Sequence, residues 1–239
     1  MKEMTLELTE KPKSPIIVSG VPGYGFVGTI ATEFLIRHLK ARQIGRIWSE
    51  ELMPIAAIHE SKIVEPIGVF YSEKYNIIVM HVLSDLKKHE WQVAENILKI
   101  ADMLNAKEVV CLEAVGDEDI TDMKTYYFTT DEAKKKHFQS LGIEPFKEGM
   151  IMGVTGAMLL KKPAKVSVFF VEIHAQLGDN EAAAKLIELL DKYLHLNVDY
   201  EPLLKAAKEL EQSLKETVKK GHKAANTAQQ YGTDVNYMG

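Results

Sequence analysis

Hydrophobic positions along this chain fall into two alternating rhythms. Short, nearly continuous apolar runs occupy residues 16–19, 44–48, 55–59, 67–71, 76–82, 108–115 and 165–173, and each predicts a strand. Residues 76–82 form a nearly continuous apolar run, the pattern of a strand buried on both faces. A polar turn around Glu65-Pro66 separates 55–59 from 67–71. Between these runs the apolar spacing changes to three and four. Residues 26–41 carry Val27, Ile30, Ala31, Phe34, Leu35 and Leu39 on one helical face. Ser84 and Asp85 offer caps for a helix reaching about Asn105, with Trp91, Ala94, Ile97, Leu98 and Ala101 inside.

Further along, Thr130 and Asp131 open a short Lys-rich helix that stops near Gly142, and Asp179 or Asn180 caps a helix over 181–194. Residues 149–160 are rich in Gly and Met, with a periodicity between loop and helix; they read as a pocket lining or subunit contact, or as a core helix held close to the sheet through its glycines. Glu201-Pro202 starts a last amphipathic helix, to about Lys220, with a heptad-like stripe of Leu203, Leu204, Ala207, Leu210, Leu214 and Val218. Residues 222–239 are small and polar and read as a flexible tail.

Strands separated by helices predict an α/β fold: one mainly parallel sheet flanked by helices on both faces. The expected organisation is an α/β core domain over 1–200, followed by the C-terminal helix and flexible tail over 201–239. With 239 residues the chain can bury a sizeable core.

Charge and cysteine content narrow the function. A net charge of −5 gives no global attraction to phosphate backbones, so nucleic acid is not the expected partner. The basic clusters Lys134-Lys135-Lys136, Lys161-Lys162 and Lys219-Lys220 with Lys223 read as solvated faces. Cys111 is the single cysteine, in the apolar run Val109-Val110-Cys111-Leu112, and reads as a small buried thiol. No signal-peptide core and no span of ~20 apolar residues is present, which predicts a cytoplasmic protein outside the membrane.

Candidate chemistry is sparse. Gly23-Tyr24-Gly25-Phe26-Val27-Gly28 fits G-x-G-x-x-G between a strand and a helix, so Gly23, Gly25 and Gly28 form a candidate anion site. Glu50 and Glu51 lie where a dinucleotide fingerprint would place its acid, although Val21 and Pro22 lengthen the turn. The other reading of these glycines is a tight turn with close helix–sheet packing. Glu113 and Glu172 sit at predicted C-terminal ends of strands, the edge where open α/β sheets bind ligands, and His174 is near for acid–base work. No His-Glu-x-x-His, Gly-x-Ser-x-Gly or Walker lysine occurs. The expectation is therefore no catalytic residues, no metal and no cofactor.

The order of motifs resembles the proteasome assembly chaperone (PAC2) family, archaeal type. The matching segments are Gly20-Val21-Pro22-Gly23-Tyr24-Gly25-Phe26-Val27-Gly28, then Gly149, Gly153 and Gly156-Ala157-Met158-Leu159-Leu160. Gly178-Asp179-Asn180-Glu181-Ala182-Ala183 and Leu196-Asn197-Val198-Asp199-Tyr200-Glu201-Pro202-Leu203-Leu204 follow, so the resemblance spans about residues 14–218. It implies a sandwich similar to the nucleoside phosphorylase fold, homo-oligomers that are ring-like in some members, and proteasome α subunits as partners. It also implies a partner-binding tail, here Val235, Tyr237, Met238 and Gly239. Several members end in hydrophobic–Tyr–any, whereas here Tyr237 is third from the end and Asn236 precedes it.

Two functions from different classes follow: a non-catalytic, homo-oligomeric assembly chaperone or scaffold, and a nucleotide- or nucleoside-binding enzyme built on the Gly23–Gly28 turn.

Overall fold

The structure, a computed structural model, describes residues 3–54, 57–59, 62–116, 123–173 and 179–205. The unit Met1–Tyr200 holds the sheet and its helices; in the unit Glu201–Gly239 the described residues, 201–205, are helical. The predicted helix beyond 205, the tail with Val235, Tyr237, Met238 and Gly239, and His174 lie outside the described residues.

Among the described residues nine strands form one sheet: β1 (Thr5–Leu8), β2 (Ile16–Gly20), β3 (Arg42–Trp48), β6 (Ile67–Ser72), β7 (Ile77–Val82), β8 (Glu108–Gly116), β9 (Thr125–Thr129), β10 (Glu144–Pro145) and β11 (Val166–Ile173). Their order across the sheet is β1-β3-β6-β7-β2-β8-β11-β9-β10. The centre, β7-β2-β8-β11, is parallel. The flanks turn antiparallel, through β1, β3 and β6 on one side and β9 on the other. The strands β4 (Ala57–His59) and β5 (Lys62–Val64) pair antiparallel as a separate two-stranded sheet. The segment before Glu65-Pro66 thus carries a second strand that its apolar pattern did not reveal.

The helices are α1 (Val27–His38), α2 (Glu90–Met103), α3 (Glu132–Ser140), α4 (Gly153–Leu160) and α5 (Asn180–Leu194). Alternate strand residues point to opposite faces, so each central strand feeds two cores. Ile17, Met80, Cys111, Val168 and Phe170 pack with Val93 and Ile97 of α2 and Val154 and Met158 of α4. On the opposite face α1 and α5 lie against each other and over β2, β8 and β11.

Local signals account for most boundaries. Asp131 and Asp179 cap α3 and α5, their carboxylates accepting from the backbone N–H of Ala133 and Ala182. Ser84 and Asp85 do not cap α2; the helix begins after His89, and Asp85 instead accepts from the N–H of Lys87 in the preceding turn. Trp91 is exposed rather than inside, being on the outer face of α2's first turn. The segment 149–160 resolves into an extended approach and α4, a core helix held by Val154, Ala157 and Met158; its Gly156 lies close to the Ile151 backbone rather than to the sheet.

Lys134 leaves the solvated face predicted for it. Its ammonium donates to the buried Glu108 carboxylate and to the Tyr193 hydroxyl, while Tyr193 Oη and Ser167 Oγ also donate to Glu108. A buried charge with this many partners is fully used in holding α3 and α5 to β8.

Candidate functional site

Two glycine-rich segments meet at the C-terminal edge of β2 and β8 around a cavity of about 410 Å³. One wall is Val21-Pro22-Gly23-Tyr24-Gly25, the stretch leaving β2; another is Met150 to Val154, entering α4; the third is Asp85, Leu86, Lys87 and Glu90 before and at the start of α2. The size is in the range of small-ligand sites.

The first wall is shaped by steric contact. A Cβ on Gly20 would lie 2.0 Å from the Gly28 carbonyl oxygen, and one on Gly28 would lie 2.7 Å from the Leu112 oxygen. The start of α1 therefore rests directly on the backbone of β2 and β8, which explains glycine at 20 and 28. Gly25 has φ of +59° and its carbonyl accepts from the N–H of Asp179, tying the turn to the cap of α5. Phe26, next in the chain, also adopts a left-handed conformation, φ 52°, with its ring half-exposed. For a bulky residue this backbone is strained.

Of the three glycines in the candidate anion site, Gly23 and Gly25 line the cavity and Gly28 does not. Glu50 and Glu51 follow β3, which two strands, β6 and β7, separate from β2. A dinucleotide fingerprint requires that acid on the strand beside the glycine turn, so this part of the pattern is not met.

Glu113 forms the floor. It projects from β8 toward α4, where Thr155 Oγ1 donates to its Oε1. Its other oxygen, Oε2, lies beside the turn, 3.6 Å from where a Cβ on Gly23 would sit. Burial among the strands raises the Glu113 carboxyl to about 7, against a smaller lowering by the Thr155 hydrogen bond. Below it Cys111 is fully enclosed, and burial, with the nearby Glu113 charge, pushes the thiol up to about 12.

Glu172 does not join Glu113. Its carboxylate accepts from the Tyr126 hydroxyl at 2.6 Å and from the Lys124 N–H at 3.2 Å. Among the described residues no group of three or more His, Cys, Asp and Glu could hold a metal ion, and no helix is long and apolar enough to cross a membrane. The segment holding Met150–Val154 was readable as a candidate pocket lining, and it does line the cavity; what sequence reasoning missed is Thr155 as the donor to Glu113. The Gly/Met composition of 149–160 pointed to the segment but not to its hydroxyl.

A helix-flanked mixed sheet with a glycine-lined cavity at its C-terminal edge defines an α/β protein. The PAC2 family model matches residues 17–218, and the chain belongs to the PAC2 family. The uncharacterized protein MJ0106 of Methanocaldococcus jannaschii is 25% identical over 232 residues, covering 89% of this chain and 90% of its own length. The crystal structure of Pyrococcus furiosus PbaA, described as an archaeal homolog of proteasome-assembly chaperone, superposes with a TM-score of 0.86 at 28% identity, covering 99% of this chain and 100% of that one. Pyrococcus furiosus PbaB, described as an archaeal proteasome activator, gives a TM-score of 0.76 at 23% identity over 91% of this chain and 99% of its own.

Proposed function

We propose that this chain is a non-catalytic, cytoplasmic assembly factor that forms a homo-oligomer and acts through protein–protein contacts, with proteasome subunits of the α type as its partner. The full-length likeness to PbaA, at 28% identity, carries this reading.

The surface supports it. Tyr24, Met150 and Met152 stand exposed around the cavity mouth, with Phe26 beside Tyr24 in the same turn. Ile58 and Ile63, cross-strand partners on β4 and β5, are both exposed. Large apolar side chains grouped in this way mark surfaces that other proteins cover, and methionine adapts to irregular partners. The strained backbone at Phe26 holds an aromatic ring outward, a cost that a contact surface offsets.

Within this reading the α/β core 1–200 is the scaffold, and 201–239 is a separate segment whose end, Val235, Tyr237, Met238 and Gly239, contacts the partner. Light scattering on the full chain tests the oligomer: an assembly larger than a monomer at micromolar concentration is expected, and a monomer contradicts it. Partner capture that is unchanged after deletion of 222–239 removes the role of the tail.

The second reading, a nucleoside- or nucleotide-binding enzyme, draws on the cavity with Glu113 at the strand edge. Thermal stabilisation by nucleosides or nucleotides, lost in Gly25→Val, is its test.

A further inference from the structure

Glu113 is a feature of the cavity that the assembly reading leaves unused. Its Oε1 is occupied by Thr155; its Oε2 has no hydrogen-bond or ion-pair partner among the described residues, although it sits beside Gly23 at the cavity floor. That oxygen opens onto the cavity, where a ligand's donor can reach it.

The surroundings say what completes it. The charged groups facing the cavity are Asp85, Lys87 and Glu90, from the approach to α2, in addition to Glu113; the β2–α1 turn adds the Tyr24 phenol, α4 adds none, and Cys111 lies beneath on the same strand. Among the described residues, three carboxyl groups face one ammonium, which favours a cation over an anion. Lys87 makes no ion pair with Glu113 among the described residues. The first turn of α4, where an anion would otherwise gain from the helix start, already meets the Glu113 carboxylate through Thr155. Between the charged groups the walls are apolar, from Val21, Pro22, Ile151 and Phe170.

We infer that this cavity binds a cationic group on an aliphatic stem, an alkylammonium or guanidinium, with Glu113 Oε2 accepting from the cation and the apolar walls covering the methylenes. The source is either a Lys or Arg side chain carried by a protein or a free small amine; the chemistry is the same. A carboxyl held near 7 makes the site pH-dependent, because only its ionised form pairs with the cation. The inference does not rest on the assembly reading, and its failure leaves that reading intact.

The test is a titration of the full-length protein, followed by heteronuclear NMR or calorimetry, with N-acetyl-lysine methylamide, n-butylammonium, the uncharged isostere N-acetyl-norleucine methylamide, and inorganic phosphate. Saturable binding of a cation is expected, with norleucine at least about tenfold weaker. Affinity rises roughly ninefold from pH 6 to pH 8, as the competent fraction of a carboxyl near 7 grows from about a tenth to about nine-tenths. Glu113→Gln, which keeps an acceptor for Thr155, weakens binding at least about tenfold and removes the pH dependence. Tighter binding of the lysine amide than of n-butylammonium assigns the site to a protein side chain; equal binding assigns it to a free amine. No cation binding, equal binding of norleucine, affinity that falls as pH rises, or saturable phosphate binding at Gly23 overturns the inference. The pH arm uses the unaltered protein, so it stands even if Glu113→Gln fails to fold.

Discussion

Gly20 on β2 and Gly28 on α1 touch backbone to backbone: the Cβ that any other residue would bring to position 20 falls 2.0 Å from the Gly28 carbonyl oxygen. At Gly28 the obstacle is the Leu112 oxygen, again backbone, so no side chain can rotate away. Gly20→Ala and Gly28→Ala are each expected to destabilise the protein by about 3 kcal/mol or more. Gly23→Ala meets only ordinary contacts, at 3.6 Å, and should fold normally. Denaturant melts of the three variants check this, and equal stability across them contradicts the close-packing explanation.

Glu113 gives stability a pH signature. Its folded carboxyl is raised from 4.5 to about 7, so between those values the folded chain holds a proton that the unfolded chain has lost. Stability from this group is therefore full below pH 4.5 and falls as pH rises through about 7. Glu113→Gln should gain on the parent between pH 4 and pH 8 by up to about 3 kcal/mol, less what opening to the cavity screens away. Melting both proteins at each pH reads the difference; a variant that loses ground as pH rises contradicts it.

Lys134 and Glu108 join α3 to the middle of the sheet, with Glu108 only 1% exposed. Lys134→Met strands a buried carboxylate and is expected to cost about 3–5 kcal/mol. Replacing Glu108 by Gln as well should restore at least about half of that loss, because the stranded charge is gone. A double variant as unstable as the sum of the singles, measured by urea unfolding, counts against a shared charge network.

Cys111 should be silent to thiol reagents in the native state at pH 8, since its thiol is enclosed and raised to about 12. Labelling should appear at one equivalent only on unfolding. Native-state labelling at the rate of a free thiol contradicts the packing of β8 described above.

The central strands were legible because burial on both faces leaves a mostly apolar run, as in Ile77–Val82 and Val166–Ile173. The edges were not. Thr5–Leu8 buries only alternate residues in part, and Thr125–Thr129 mixes hydroxyls with aromatics, so neither rises above its polar neighbours. Cap residues were readable where the carboxylate contacts its own helix, as at Asp131 and Asp179; Asp85 failed because a turn competes for the same group. Trp91 was placed inside on helical spacing alone, which cannot tell the flank of an apolar stripe from its centre. Non-local partners were invisible: Lys134 meets Glu108 from 26 positions away, and Thr155 meets Glu113 from 42. The strand-edge acid could be picked out, but not the hydroxyl that fixes its position.

Native mass spectrometry of the full-length chain, alone and mixed with purified proteasome α subunits from the same organism, tests the central claim most directly. The account predicts a homo-oligomer that takes up α subunits in a defined stoichiometry without consuming any metabolite. A chain that stays monomeric and leaves the α subunits unbound contradicts it.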